Sequence, residues 1–112
     1  MIEEEKIKDL KNNLQNLKIG IIGEIIIDEY VYVKAIGTAS KDPVISTRKT
    51  GKESFPGGVL AVANHLAQFS KNIELISVLG SEKSKKEFIN RSLNEEINTC
   101  FFKNNRSETI VK

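Results

Sequence analysis

Asp28 and the pair Gly57-Gly58 are the residues whose types and placement could do chemistry. A carboxylate at the end of a strand can accept hydrogen bonds from the hydroxyls of a polyol. A glycine pair lets a ligand approach the backbone, because no Cβ stands in the way. A helix opening after Gly58 would add backbone N–H groups that have no partner inside the helix. Together these groups would make a polyol pocket. In open α/β sheets such pockets lie beyond the carboxyl ends of the strands. The reading therefore needs Asp28 to close one strand and Gly58 to open the helix leading to the next. The blander alternative is that Asp28 caps a turn and the glycines make one, and spacing alone leaves both open.

Other chemistries find no support. Gly20-Ile21-Ile22-Gly23 falls inside an apolar run and not in a strand-to-helix turn, so it is no dinucleotide fingerprint. Gly51-Lys52-Glu53-Ser54 has the ending of a phosphate loop in part, but Ser46 stands where that loop needs its first glycine and Glu53 follows the lysine. His65 and Cys100 are the only residues of their types and lie far apart, so no zinc spacing and no metal site are expected. No nucleophile has a paired base or an elbow motif, so nucleophilic catalysis finds no support.

The elements that must position Asp28 and the glycines read as follows. Residues 3–17 predict an amphipathic helix, with Ile7, Leu10, Leu14 and Leu17 at spacings of three and four. It is either packed on the domain or a linker. Residues 18–27 are almost continuously apolar and β-branched, as in a strand covered on both faces. Residues 30–33 alternate with period two, Gly37–Pro43 is a loop, and Val44–Thr50 is a short strand closed by a turn near Gly51. After a break at Pro56-Gly57-Gly58, residues 58–70 predict a helix with Val59, Val62, Ala63, Leu66, Ala67 and Phe69 inward. Ile73–Leu79 is a buried strand. Ser84 and Glu87 fit a capping box for a helix near 82–94, with Phe88, Ile89 and Leu93 inward. Asn98–Lys103 and Thr109–Lys112 are strands. Strands alternating with helices predict an α/β fold with a mostly parallel sheet, flanking helices and right-handed crossovers.

At 112 residues the chain holds one domain: an N-terminal helix or linker over 1–17 and an α/β region over 18–112. Its net charge of +2 comes from 17 basic and 15 acidic residues that are well mixed. Lys83, Lys85, Lys86 and Arg91 are interleaved with Glu82, Glu87, Glu95 and Glu96, which reads as a solvated helix face and not a nucleic-acid surface. One cysteine allows no internal disulfide and suits a reducing compartment. No apolar run is long enough to span a membrane. The acidic Met1-Ile2-Glu3-Glu4-Glu5 lacks the order of a signal peptide, so a cytoplasmic location is the default expectation.

Four segments in order resemble the carbohydrate kinases of the ribokinase (PfkB) family, in the branch of the heptose-phosphate kinases. They are Gly23-Glu24-Ile25-Ile26-Ile27-Asp28-Glu29-Tyr30, Ser40-Lys41-Asp42-Pro43-Val44, the run Pro56 to Ala67, and Ile76-Ser77-Val78-Leu79-Gly80. Proteins of this branch are sometimes joined to a nucleotidyltransferase. The resemblance covers about residues 18–112 and implies the N-terminal part of a ribokinase-like fold, with a small two-stranded β lid at about 29–50. It implies transfer of the γ-phosphate of ATP, with Mg2+, to a hydroxyl of a sugar or sugar phosphate. Asp28, Gly57 and Gly58 would contact the sugar, with Glu24, Tyr30 and Lys41 as further substrate-binding positions, and the lid would make a homodimer contact. Many members carry an asparagine four residues after the first glycine of the pair. Here that position is Ala61, and the nearest asparagine, Asn64, is the candidate to take over the sugar contact, the alternative being a structural role.

The family's catalytic base lies in a downstream Gly-Ala-Gly-Asp motif that this sequence does not contain. The expectation is a fragment, a truncated reading frame or one piece of a split protein, carrying the sugar and lid part without the ATP part. The rival expectation is a non-catalytic sugar-binding or dimerisation module.

Overall fold

The computed structural model describes Met1 and residues 3–112. Ile2, read above only as part of the acidic N-terminus, lies outside the described residues. The fold is α/β, with three helices and two three-stranded sheets. β1 (Lys18–Ile22), β4 (Asn72–Glu82) and β5 (Ile97–Glu108) form a parallel sheet with β4 at its centre. β2 (Ile25–Thr38) and β3 (Ile45–Gly58) form an antiparallel ribbon, which β6 (Ile110–Val111) joins in parallel at its base. The helices are α1 (Glu4–Gln15), α2 (Val59–Leu66) and α3 (Lys86–Ser92).

The core follows from alternation along β4. Ile73, Leu75, Ser77 and Leu79 point to one face and are buried. Leu60 and Ala63 of α2, Ile89 of α3, and Ile21, Ile25 and Ile97 complete the same cluster. Helices cover only this face. On the other, Ile22, Val78 and Phe102 are exposed, against the two-sided cover that the apolar run at 18–27 suggested. That run is also not one strand. It bends at Gly23-Glu24, and Ile25–Ile27 begin the ribbon. The bend stays attached to the sheet because the Ser77 hydroxyl donates to the Gly23 carbonyl (2.5 Å).

Several boundaries shift for identifiable reasons. Gly51 closes no turn: β3 runs through it, and the register slips between Tyr32 and Val33, which leaves Thr50 as a bulge. Pro56-Gly57-Gly58 is the end of β3 and not a break before the helix. The antiparallel ribbon therefore spans Ile25–Gly58, and β6 makes its base three-stranded. The capping box does not form. Lys85 enters α3 in a left-handed conformation (φ 56°) with no side-chain cap. The Ser84 carbonyl instead accepts the Thr109 hydroxyl (2.8 Å). In α2 the inward side chains are Ala63 and Leu60, the second of which sequence periodicity missed, while Val62, and Phe69 beyond the helix end, lie half exposed.

The ribbon stands away from the core. The radius of gyration is 20.0 Å, against about 13 Å for a compact domain of this length. α1 buries none of its residues, and its Ile7, Leu10 and Leu14, with Leu17 just beyond its end, are exposed. No helix among the described residues is long and apolar enough to cross a membrane.

Leu60 has no exposed surface, while Val62 is 49% exposed. Leu60→Ala is expected to destabilise the chain by about 2–5 kcal/mol through lost burial and a cavity, and Val62→Ala to change it by within about 0.5 kcal/mol. Urea denaturation of both variants checks this, and equal effects would contradict the packing described.

Candidate functional site

Two backbone crossings lie side by side where the ribbon meets the parallel sheet. One is Gly23-Glu24, leaving β1 for β2. The other is Gly57-Gly58, returning from β3 to α2. They pair directly: Ile25 lies opposite Gly58 and Ile26 opposite Gly57, and the Val59 N–H donates to the Glu24 carbonyl (3.2 Å).

Glycine is required at both positions of the second crossing. Gly58 has φ +54°, and a Cβ there would sit 2.6 Å from the Glu24 carbonyl oxygen. At Gly57 a Cβ would collide with the Asp28 carboxylate, whose Cγ lies 2.9 Å from the position that Cβ would take. The side chain of Asp28 therefore lies over the Gly57 backbone. Asp28 does not close a strand, as sequence suggested. It sits four residues into β2, opposite Phe55, because Gly23-Glu24 and not Asp28-Glu29 is the bend. It still reaches the glycine pair, through cross-strand register. Neither ion pair of the described residues uses its carboxylate.

The candidate residues divide into groups. Asp28, Gly57, Gly58 and the Glu24 backbone come together at the crossings. Tyr30, two residues beyond Asp28 on the same strand face, shares with Asp28 alone of that group a depression of about 360 Å³ lined by Asp28, Tyr30, Tyr32 and Phe55. Glu24 also lines a separate cleft of about 440 Å³ at the carboxyl end of β1, together with Ser77, Asn104, Glu108 and Thr109. The two depressions share no residue, so Glu24 and Asp28 do not line one pocket here.

Lys41 lies in the exposed loop at the ribbon tip. About 33 Å of strand separates Asp28 from Thr38 at the usual rise per residue, so Lys41 is not brought to the crossings. Asn64 is engaged elsewhere. Its side-chain amide donates to the Ser92 carbonyl (2.8 Å) and its oxygen accepts the Asn94 N–H (2.8 Å), which ties α2 to the end of α3.

Sequence reasoning missed Phe55, Ser77 and Thr109. Phe55 had a signal, since it directly precedes Pro56-Gly57-Gly58, but its place opposite Asp28 depends on register. Ser77 and Thr109 are buried hydroxyls that hold the crossings and the β4–α3 turn.

The phosphate-loop-like stretch does not form a nucleoside-triphosphate site. Gly51-Lys52-Glu53-Ser54 is mid-strand and not a turn, and the Lys52 ammonium is paired with Glu29 (2.6 Å). No group of three or more His, Cys, Asp or Glu among the described residues could hold a metal ion.

No family model matches the chain. It is similar to Bifunctional protein HldE of Coxiella burnetii (strain RSA 331 / Henzerling II), at 26% identity over 98 residues that cover 88% of this chain and 21% of that protein. It is also similar to Bifunctional protein HldE of Helicobacter acinonychis (strain Sheeba), at 31% identity over 84 residues, 73% of this chain and 18% of that protein. The chain spans about a fifth of the length of these curated relatives.

One titration checks the ribbon geometry. The Tyr32 hydroxyl donates to the Glu53 carboxylate (2.6 Å), and this bond, followed by the charge of Glu53, raises the phenol above its ordinary value. A raised phenol favours the protonated, folded form. The contribution is full below the unfolded value of about 10 and is lost as pH rises through the folded one. In a Tyr30→Phe background Tyr32 is the remaining tyrosine. Its ultraviolet titration is expected to fall to lower pH on Glu53→Gln, and an unmoved curve would show that the bond is absent in solution.

Proposed function

We propose that this chain supplies the substrate-binding and lid part of a sugar or sugar-phosphate kinase. The observation that carries the reading is the Asp28 carboxylate lying over the Gly57 backbone, beside Gly58 and the start of α2. An acceptor-only side chain there can accept hydrogen bonds from the hydroxyls of a polyol, and the glycine pair is what lets the Asp28 carboxylate and the Glu24 carbonyl pack at the crossing. The ribbon carrying Asp28 projects from the sheet as a lid would. The similarity to two HldE proteins over most of the chain supports a place near the heptose-kinase branch that the four motifs resemble. The fold is then the N-terminal portion of a ribokinase-like domain.

In that reading Asp28, Gly57 and Gly58 bind the sugar, Tyr30 flanks it, and Glu24 acts through its backbone at the crossing. Lys41 would reach the substrate only if the ribbon tip bends toward it. Asn64 is structural, since both polar groups of its amide are already bonded. Phosphoryl transfer needs positioned phosphates and compensation of their charge. The described residues do not provide these, so ATP and Mg2+ belong to parts of the kinase outside them. A homodimer through the lids, by the ribbon face opposite Asp28, is part of the same proposal. A non-catalytic sugar-binding or dimerisation module is the second reading, favoured by the intact crossing beside a phosphate-loop-like stretch that forms no such site.

Asp28→Asn is expected to weaken sugar binding with an unchanged circular dichroism spectrum. Hydrogen bonds to a charged group contribute about 1.5–3 kcal/mol, so calorimetry over a panel of sugars and sugar phosphates should show a loss of roughly tenfold to a hundredfold. With ATP added, the 112-residue chain is expected to bind without turnover. Equal affinity of wild type and variant would remove Asp28 from the site, and ATP-dependent turnover by the chain would overturn the division of labour.

A further inference from the structure

We propose that Tyr30 and Phe55 form a stacking platform that holds the apolar C–H face of a cyclic sugar while Asp28 takes its hydroxyls. The inference rests on the sugar-binding reading of Asp28 and adds the feature that selects ring over open chain. Strand alternation puts Asp28, Tyr30 and Tyr32 on one face of the ribbon, and register puts Phe55 directly opposite Asp28. The Tyr30 and Phe55 rings meet edge to face, with centroids 5.5 Å apart and planes at 81°. Tyr32 is braced by its bond to Glu53 and lies over Gly51, where no side chain displaces it.

These rings are not spent on the core. Tyr30, Tyr32 and Phe55 are 56%, 49% and 46% exposed. Clustered exposed aromatics on a small domain mark a contact surface. The depression they line, about 360 Å³, lies within the ~300–1,000 Å³ range of small-molecule sites. Two occupants compete: a sugar, and the lid of a second copy. The carboxylate decides between them. Covering Asp28 with a second apolar ribbon would bury a charge without a partner, which is costly. A sugar brings hydroxyl donors to that carboxylate and C–H groups to the electron-rich ring faces. An open-chain alditol brings the hydroxyls without the flat C–H face.

The chain has 2 tyrosines and no tryptophan, so all of its tyrosine emission comes from this surface. The 112-residue chain is titrated with D-glucose, D-mannose, D-galactose and their 6-phosphates, and with sorbitol, mannitol and galactitol, by calorimetry and tyrosine fluorescence in parallel. For any cyclic sugar that gives heat, the emission is expected to change with the same midpoint. The matching alditol should bind roughly tenfold more weakly. Tyr30→Leu and Phe55→Leu should remove that preference, while Tyr30→Phe should keep it. Heat without an emission change, with ring and open chain bound alike, would overturn the platform and leave the Asp28 site standing. Emission that follows protein concentration and ignores sugar would give the face to a second copy and overturn it. No heat with any compound would overturn both readings.

Discussion

The structure depends on two chain crossings packed closer than a side chain allows. Where β1 hands over to β2, the Glu24 carbonyl lies where Gly58 would carry a Cβ and accepts the Val59 N–H. Everything at the candidate site follows from that approach. It sets the register of the ribbon, which places Gly57 under Asp28 and Phe55 opposite it. It starts α2 at Val59, which turns Leu60 and Ala63 into the core. The Ser77 hydroxyl on the Gly23 carbonyl fastens the same junction to the central strand.

From that anchor the ribbon projects with little support. Its two 14-residue strands hold each other, and β6 braces only the base, at Ile26 and Ile27. The side chains along it divide by face. One carries Asp28 and the aromatics, and the Glu29–Lys52 ion pair belongs to the other. That pair is partly exposed, so screening by water and salt leaves it little weight in stability. The ribbon is thus better suited to presenting groups to a ligand than to stabilising the fold.

How much of this was legible in the sequence depends on the range of the signal. Ile73–Leu79 and the helix after Gly58 were plain, because burial imposes a period that a window of ten residues can show. The parallel sheet followed from the alternation of strands and helices. Asp28 and the glycine pair stood out by type, yet the geometry joining them did not. It comes from register between β2 and β3, set by a bend at Gly23-Glu24 that the surrounding isoleucines disguised. Leu60 was missed because α2 has only 8 residues, too few for periodicity to fix which side faces the core. Phe55 could be placed beside Asp28 only once the ribbon was known to continue through Gly51.

The central claim is that a sugar binds at Asp28, beside the glycine crossing. The most direct measurement is amide chemical-shift mapping of the 112-residue chain during a sugar titration. The account predicts that the Gly57 and Gly58 amides move furthest among the 7 glycines, together with Asp28 and Tyr30. Gly20 in β1 and Gly37 near the ribbon tip should stay in place. Largest shifts at Gly80 and at Ser107–Thr109, around the 440 Å³ cleft, would contradict it and move the site to the carboxyl edge of the parallel sheet.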